Sequence, residues 1–587
     1  MRRRAKFLIP ALAFVAVVGA TEPGSPETSP SVLLVTVDTL RADRLERGEL
    51  MPHLRRLASA GVTFSNARAL TPLTLPSHTT ILTGLGTSRH GVRDNIGYHV
   101  PPDLPFLAGR FRQAGFATGA FIGGYPLVSD FGLDSGFDVY DDRLDASPLG
   151  PAAGHTERRA EDVVDAALGW TRDVAGRPWF LWVHLYDPHE PYQPPDSFKH
   201  PAKHPYDREV AYADAALGRL LAGLQAAADS RMIILVTSDH GEMLGEHGEA
   251  THGVFLYEGA LRVPLVFVYP GAPAGRVESR PVTLADVAPS LVEAAGLPAV
   301  PGLDGRSLLD PTGDSVVYLE SIHGRRRYGW APLYGYLDWP LKFIAAPAPE
   351  LYDLNRDPDE QRNLITKRSG RRHASKLRSL QAGMRAPDES MEIAGDLEKL
   401  AGLGYVGGGV VAAGREVLDD RARPDPKARV RALPALEAGL ERMAAGDDVN
   451  AVRELRQALD IDPDNLVVLN NLGILSLRGG DLEDAVRRFK KGLRRDSSAD
   501  NIASNLGLAL SRLGRHGEAV AAFRTALDVN PGFQAARFNL AIALYRMGER
   551  LQARRELETV RRDDPDFPGL EETMALLEEE PAPVPSH

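Results

Sequence analysis

From Gly446 to Gly548 the chain repeats itself every 34 residues, and that period leaves few folds open to it. Gly446, Gly480, Gly514 and Gly548 share one register; Ala451, Ala485, Ala519 and Ala553 share a second; Leu455, Phe489, Phe523 and Leu557 share a third. Pro463, Pro531 and Pro565 fall on a fourth, with Ser497 in the missing place. Glycine past the end of one helix and proline near the start of the next unit describe a helix, a turn and a second helix. One such unit cannot bury its apolar face alone, so neighbouring units must stack. Residues 430–564 supply four units, and residues 565–587 a capping helix near Leu570 to Glu579 with a short tail.

The period and its small residues resemble the tetratricopeptide repeat. That resemblance implies an all-α solenoid whose concave groove takes a protein partner, which is binding and not catalysis. Because repeat units contact mainly their neighbours, a chain ending near Gly414 is expected to keep whatever chemistry precedes it.

A length of 587 residues exceeds what one core organises, so at least one more domain is expected. The formal net charge of -11 argues against a nucleic-acid partner, which requires a basic face. At the start, Arg2, Arg3, Arg4 and Lys6 precede an apolar run from Phe7 to Val18 and the small residues Gly19 and Ala20. Residues 1–20 therefore read as a signal peptide, and the protein as exported, periplasmic or extracellular. The run is shorter than the roughly 20 residues a spanning helix needs. No stable membrane span is expected after cleavage; an uncleaved signal would give an anchored form. Cysteine is absent, which excludes disulfides, thiolate ligands and a cysteine nucleophile. Any chemistry falls to oxygen and imidazole.

Residues 365–427, with KRSGRRH and GYVGGGVVAAG, read as a connector. Ahead of them, residues 31–364 alternate short runs rich in β-branched residues (SVLLVTV, ATGAFIGG, WFLWVHLY, RMIILVTS, LVFVYP) with amphipathic stretches such as Arg159 to Val174. That alternation predicts an α/β sandwich with a mostly parallel sheet. Ligands of such sheets bind at the carboxyl ends of strands, which draws attention to the polar residues just after each run.

Asp38 follows the first run, and Asp239 and His240 follow the fourth. Either aspartate alone reads as a turn or helix cap; together, two strands delivering oxygen and imidazole to one sheet edge suggest a divalent cation. TPLTLPSHTTILTG, Thr71 to Gly84, reads as a tight turn feeding a helix whose start carries Thr74 and Ser77. These hydroxyls either cap the helix or mark an oxyanion site at its N-terminus. Asp187 and His189 follow the third run, and His247 and His252 lie beyond Asp239 and His240. Arg325, Arg326 and Arg327 read as a solvated loop, with steering of an anionic substrate as the other reading.

Taken in order, VTVDTLRADRL, LPSHTTILTG, HGVRDN, TSDHGEMLGEHG and ELYDLNRDPDEQRNL resemble the sulfatase branch of the alkaline phosphatase superfamily over residues 31–364. The resemblance implies an alkaline phosphatase-like fold, metal ligands at Asp38, Asp239 and His240, and Thr74 as nucleophile and further ligand. It places His189 and His252 where the anion is contacted or the leaving group protonated, and makes Asn95 and His78 substrate contacts; His247 is a weaker candidate. Several positions depart from the family. Thr74 stands where sulfatases carry a cysteine or serine that becomes formylglycine, and threonine cannot give that aldehyde. His78 replaces the usual arginine, Thr39 the second aspartate of the opening pair and His252 the usual lysine. Members with a threonine nucleophile are commonly phosphodiesterases or phosphotransferases, often with zinc. Imidazole ligands favour zinc over calcium, magnesium or manganese, and Asp187, His189 and His252 offer a second metal site. The expectation is a metal-dependent hydrolase of anionic esters that prefers phosphodiesters or phosphonate esters to sulfate esters. The alternatives are a true sulfuric ester hydrolase, a phospho-group transferase, or a scaffold acting through its repeats.

Overall fold

In the computed structural model the apolar runs pair side by side, because each is buried on both faces and must be covered by helices on either side. The structure describes residues 29–95, 97–144, 157–227, 232–310, 316–385 and 423–578. The expected signal peptide, much of the connector and the final tail lie outside these residues. Eight strands form one sheet in the spatial order Arg276–Glu278, Val62–Phe64, Leu265–Val268, Met232–Thr237, Ser31–Val37, Trp179–Leu185, Ala117–Phe121 and Val139–Asp141. Ser31–Val37 is central and pairs in parallel with both Trp179–Leu185 and Met232–Thr237. Leu265–Val268 runs antiparallel between Met232–Thr237 and Val62–Phe64, so the sheet is mixed but mostly parallel.

Alternate residues of the central strand feed two cores. Val32 and Leu34 face the larger one with Phe111, Phe180 and Trp182, whereas Leu33 and Val35 face the helices Pro52–Ala60, Ala160–Asp173 and Pro205–Ala227 through Leu54, Val163 and Leu217. The period of two along a strand makes this split automatic. A four-stranded antiparallel sheet, Val317–Ser321, Leu333–Asp338, Leu341–Ala345 and Glu350–Asp353, completes the domain.

Beyond it the 34-residue period is realised as helix pairs: Leu433–Ala444 with Asp448–Ile461, Leu466–Arg478 with Leu482–Arg495, Asp500–Arg512 with His516–Val529, and Gln534–Arg546 with Arg550–Asp563. Leu570–Glu578 covers the end. The repeated glycines sit in the loops within each pair at φ between 75° and 84°, a left-handed turn that favours glycine. The repeated alanines are fully buried, where a larger side chain would push the paired helices apart.

The repeats are not a separate arm. Val430, Leu433, Leu436, Leu455, Val467 and Leu472 belong to the same continuous apolar core as the α/β domain, and an independent core begins only with the second unit, at residues such as Ala485, Phe489 and Ile502. Polar bonds pin the junction. Trp330 Nε1–H donates to Asp462 Oδ2 at 2.6 Å, Arg423 pairs with Asp496 at 2.9 Å, and Ala331 N–H donates to Pro424 O at 2.9 Å. The expectation that chemistry survives loss of the repeats supposes a free-standing stack, whereas the first unit here packs its apolar face against the α/β domain. Among the described residues no helix is long and apolar enough to cross a membrane.

Candidate metal centre and active site

Asp38 leaves the central strand one residue after its last paired position, and Asp239 and His240 follow the neighbouring strand by two and three residues. Parallel pairing therefore carries all three to one sheet edge. One ligand atom from each lies within 4.8 Å of the others, and all three residues are fully buried. His240 Nδ1–H donates to Gly241 O at 3.0 Å. Nε2 is left facing Asp239 Oδ2 at 3.4 Å, Thr74 Oγ1 at 3.5 Å and Asp38 Oδ1 at 3.9 Å. Asp38 Oδ1 and Asp239 Oδ2 are buried oxygens with no hydrogen-bond donor among the described residues. Burial pushes the Asp38 carboxyl up to about 7, and burial followed by Asp38 itself raises Asp239. Two carboxylates and an imidazole lone pair converging in a buried site form a donor set that a divalent cation fits.

Thr74 is the first residue of the helix Thr74–Thr83, every residue of which is buried. Two groups hold it there. Asn95 Oδ1 accepts the Leu75 N–H at 2.8 Å, and His78 Nδ1–H donates to Thr74 O at 2.8 Å. The second of these contacts corrects the expected substrate role of His78. His78 is fully buried, and its other nitrogen accepts from Thr36 Oγ1 at 3.0 Å, so neither nitrogen serves substrate; burial holds its pKa down at about 3. Asn95 gives its oxygen to the helix N-terminus, a bond that uses neither of the Nδ2–H donors an oxyanion would take.

Two further histidines continue outward from His240, one ring tilted and the next edge-on. The His252 ring lies 4.4 Å from that of His240, and the His189 ring 5.1 Å from that of His252. His252 Nδ1 meets both oxygens of Glu242 at 3.2 and 3.3 Å, and His189 Nδ1–H donates to Glu190 O at 2.6 Å. Asp187 does not join them: its carboxylate faces Arg159 Nη1 at 3.8 Å, in the company of Glu157 and Glu209. The expected second metal site of Asp187, His189 and His252 therefore lacks its carboxylate. His247 is also elsewhere, stacked on Tyr257 at 3.8 Å with Nε2–H donating to Asp359 O at 3.2 Å.

Some neighbours of the site had no signal at strand ends. His184 sits within the Trp179–Leu185 strand and donates Nε2–H to Asp38 Oδ2 at 3.3 Å. Glu242, fully buried and pushed up to about 8 by that burial, fixes the His252 ring. Thr39 holds a positive φ of 54°, rare for a β-branched residue, with its N–H on Asp239 Oδ1 at 3.2 Å. The first repeat also reaches the rim: Glu437 and Glu190 are each pushed up to about 7, mainly by burial, and Arg327 pulls both back down.

Residues 30–297 match the model of the Sulfatase family, and residues 510–577 that of the Tetratricopeptide repeat. The part of the chain that holds the candidate site is thus a domain that matches the Sulfatase family model. The choline-sulfatase of Rhizobium meliloti (strain 1021) is 26% identical over 427 residues, 57% of this chain and 82% of that one. The arylsulfatase of Clostridium perfringens (strain 13 / Type A) is 24% identical over 454 residues, 60% of this chain and 93% of that one. Arylsulfatase K of Homo sapiens is 31% identical over 180 residues, but these span only 28% of this chain and 33% of that one. The fold matches the phosphonate monoester hydrolase of Agrobacterium radiobacter at a TM-score of 0.50 and 23% identity, covering 60% of this chain and 95% of that one. The sulfatase-like domain makes this protein a hydrolase of ester bonds with helical repeats built onto it.

Proposed function

We propose that the protein is a metal-dependent hydrolase of phosphoryl esters, diesters or phosphonate esters above all, with Thr74 as nucleophile. The observation that carries this reading is Thr74 Oγ1, buried and 3.5 Å from His240 Nε2 at the edge of the three-ligand cluster. Asp38, Asp239 and His240 would hold the cation, and imidazole in the set favours zinc. When bound, the cation supplies the Lewis acidity that makes a threonine hydroxyl a nucleophile near neutral pH. The Thr74 oxygen attacks phosphorus as its proton passes to the imidazole of His252 or His189, the bond from phosphorus to the leaving oxygen breaks, and that imidazole hands the proton on to the leaving oxygen. Water then opens the threonyl ester and restores Thr74. Glu242 steadies His252 throughout, while Asn95 and His78 keep the Thr74 backbone in place.

Threonine supports the phosphoryl preference because it has no second hydroxyl with which to expel sulfate, so a sulfated Thr74 would have to await water. The sulfatase names of the curated relatives favour the second reading, a sulfuric ester hydrolase. The deciding experiment compares kcat/KM for matched aryl phosphodiester and aryl sulfate, with metal analysis and Thr74→Ala as background. A sulfate preference above about tenfold, roughly 1.4 kcal/mol in the barrier, that vanishes in Thr74→Ala would overturn the choice. We also infer export, from the basic and apolar pattern of residues 1–20; N-terminal sequencing of the mature protein checks it.

A further inference from the structure

The basic run Arg325 to Arg327 is not a solvated loop. It lies in the helix His323–Tyr328, in which Arg326 is only 7% exposed. Other buried arginines of this protein have carboxylates: Arg68 meets Glu258 at 2.7 Å, and Arg158 meets Asp141 at 3.3 Å. Arg326 has none. Its Nε and Nη2 lack any hydrogen-bond acceptor among the described residues, and its one contact of note is the Tyr98 ring, 5.1 Å from Cζ. A cation–π contact is worth roughly 0.5–2 kcal/mol, whereas burying an unpaired charge costs several kcal/mol. Two buried carboxylates face other cations, Asp94 at 3.4 Å from His323 and Glu320 at 3.8 Å from Arg93.

The helix lies against the two segments that flank the active site. His323, at its start, packs on Gly253, where an added Cβ would meet its ring at 3.2 Å, and Gly253 follows His252. Tyr98, under Arg326, is three residues beyond Asn95, which holds the Leu75 N–H beside Thr74. We propose that Arg326 is the centre of a second anion subsite, which receives a carboxylate, phosphate or sulfate group carried on the substrate away from the ester that is cleaved. An anion there would accept from the two stranded donors in the bidentate manner guanidinium favours.

This rests on the reading of the adjacent site as one for anionic esters, so the test reads binding and needs no turnover. The full-length, metal-loaded protein is titrated calorimetrically with ethylphosphonate and with the series from 3-phosphonopropionate to 5-phosphonovalerate, which adds a carboxylate at increasing reach. At least one member should bind ten-fold or more tightly than ethylphosphonate. Arg326→Gln should abolish that advantage, and Arg326→Lys should keep part of it. Arg326→Met, which retains the apolar stem over Tyr98, replaces the Gln variant if that one fails to fold. An absent advantage at every chain length, or one that survives in a folded Gln or Met variant, overturns the proposal. A carboxylate advantage that depends on Arg326 in a protein that cleaves no ester would refute the hydrolase reading and leave the subsite standing.

Discussion

Replacing Asp462 with alanine should loosen the catalytic domain from a position inside the repeats. Trp330 and Asp462 are each 1% exposed, and the indole N–H donates to the carboxylate at 2.6 Å, with Asn465 Nδ2–H adding a bond at 3.0 Å. A hydrogen bond to a charged acceptor contributes about 1.5–3 kcal/mol, and a stranded buried donor costs about 1–3 kcal/mol. Removing the buried carboxylate recovers some of its own desolvation, so the net loss should be on the order of 2–3 kcal/mol. Trp330 lies two residues past the helix that bears His323 and Arg326, so the slack should reach the active-site rim. Urea unfolding followed by tryptophan fluorescence should show a lower midpoint, and steady-state kinetics a raised KM with kcat changed less. Asp460→Ala, at an exposed position in the helix that Asp462 ends, is the control. An Asp462→Ala protein within about 0.5 kcal/mol of the parent, with an unshifted tryptophan spectrum, would refute the argument.

Ending the chain near Gly414 removes Leu433, Leu436 and Val467 from the shared core, so the remainder should aggregate or unfold without a sharp transition; a soluble, fully active product would show the junction to be dispensable. Asp239→Ala should abolish bound metal by elemental analysis and lower kcat by at least about a thousandfold, since threonine is too weak an acid alone; metal retained at full stoichiometry would speak against the ligand set. Glu209 is pushed up to about 9, chiefly by burial and then by Asp187. The folded state therefore holds a proton that the unfolded state releases near pH 4.3, and this stabilising contribution is lost as pH rises toward about 9. Glu209→Gln should flatten the fall of Tm between about pH 5 and pH 9, and parallel curves for the two proteins would contradict this.

The fold was legible because it is written in periods: 34 residues for the solenoid, and short apolar runs alternating with amphipathic stretches for the α/β domain. Asp38, Asp239 and His240 could be found because they follow strands that turn out to be adjacent. His184 could not, since it lies within a strand, where a histidine reads as one more buried residue. Position after a strand did not decide the direction of a side chain. Asp187 follows its strand as Asp38 does, yet its carboxylate lies beside Arg159, the residue just before the preceding helix, and no local pattern encodes that neighbour. His78 and Asn95 lie in the expected segments but support Thr74 from behind, because a helix start with a buried hydroxyl needs its backbone groups satisfied. The docking of the first repeat was invisible for a different reason: the apolar residues that face the domain occupy the same helical positions that would otherwise face another repeat.

Rapid-quench mass spectrometry on the metal-loaded protein during turnover of an aryl phosphodiester tests the assignment of Thr74 most directly. The account predicts a phosphoryl adduct on the tryptic peptide from Ala69 to Arg89, localised to Thr74 and absent from Thr74→Ala, which should also have lost turnover. Turnover by Thr74→Ala at the parent rate, or an adduct on another side chain, would contradict it.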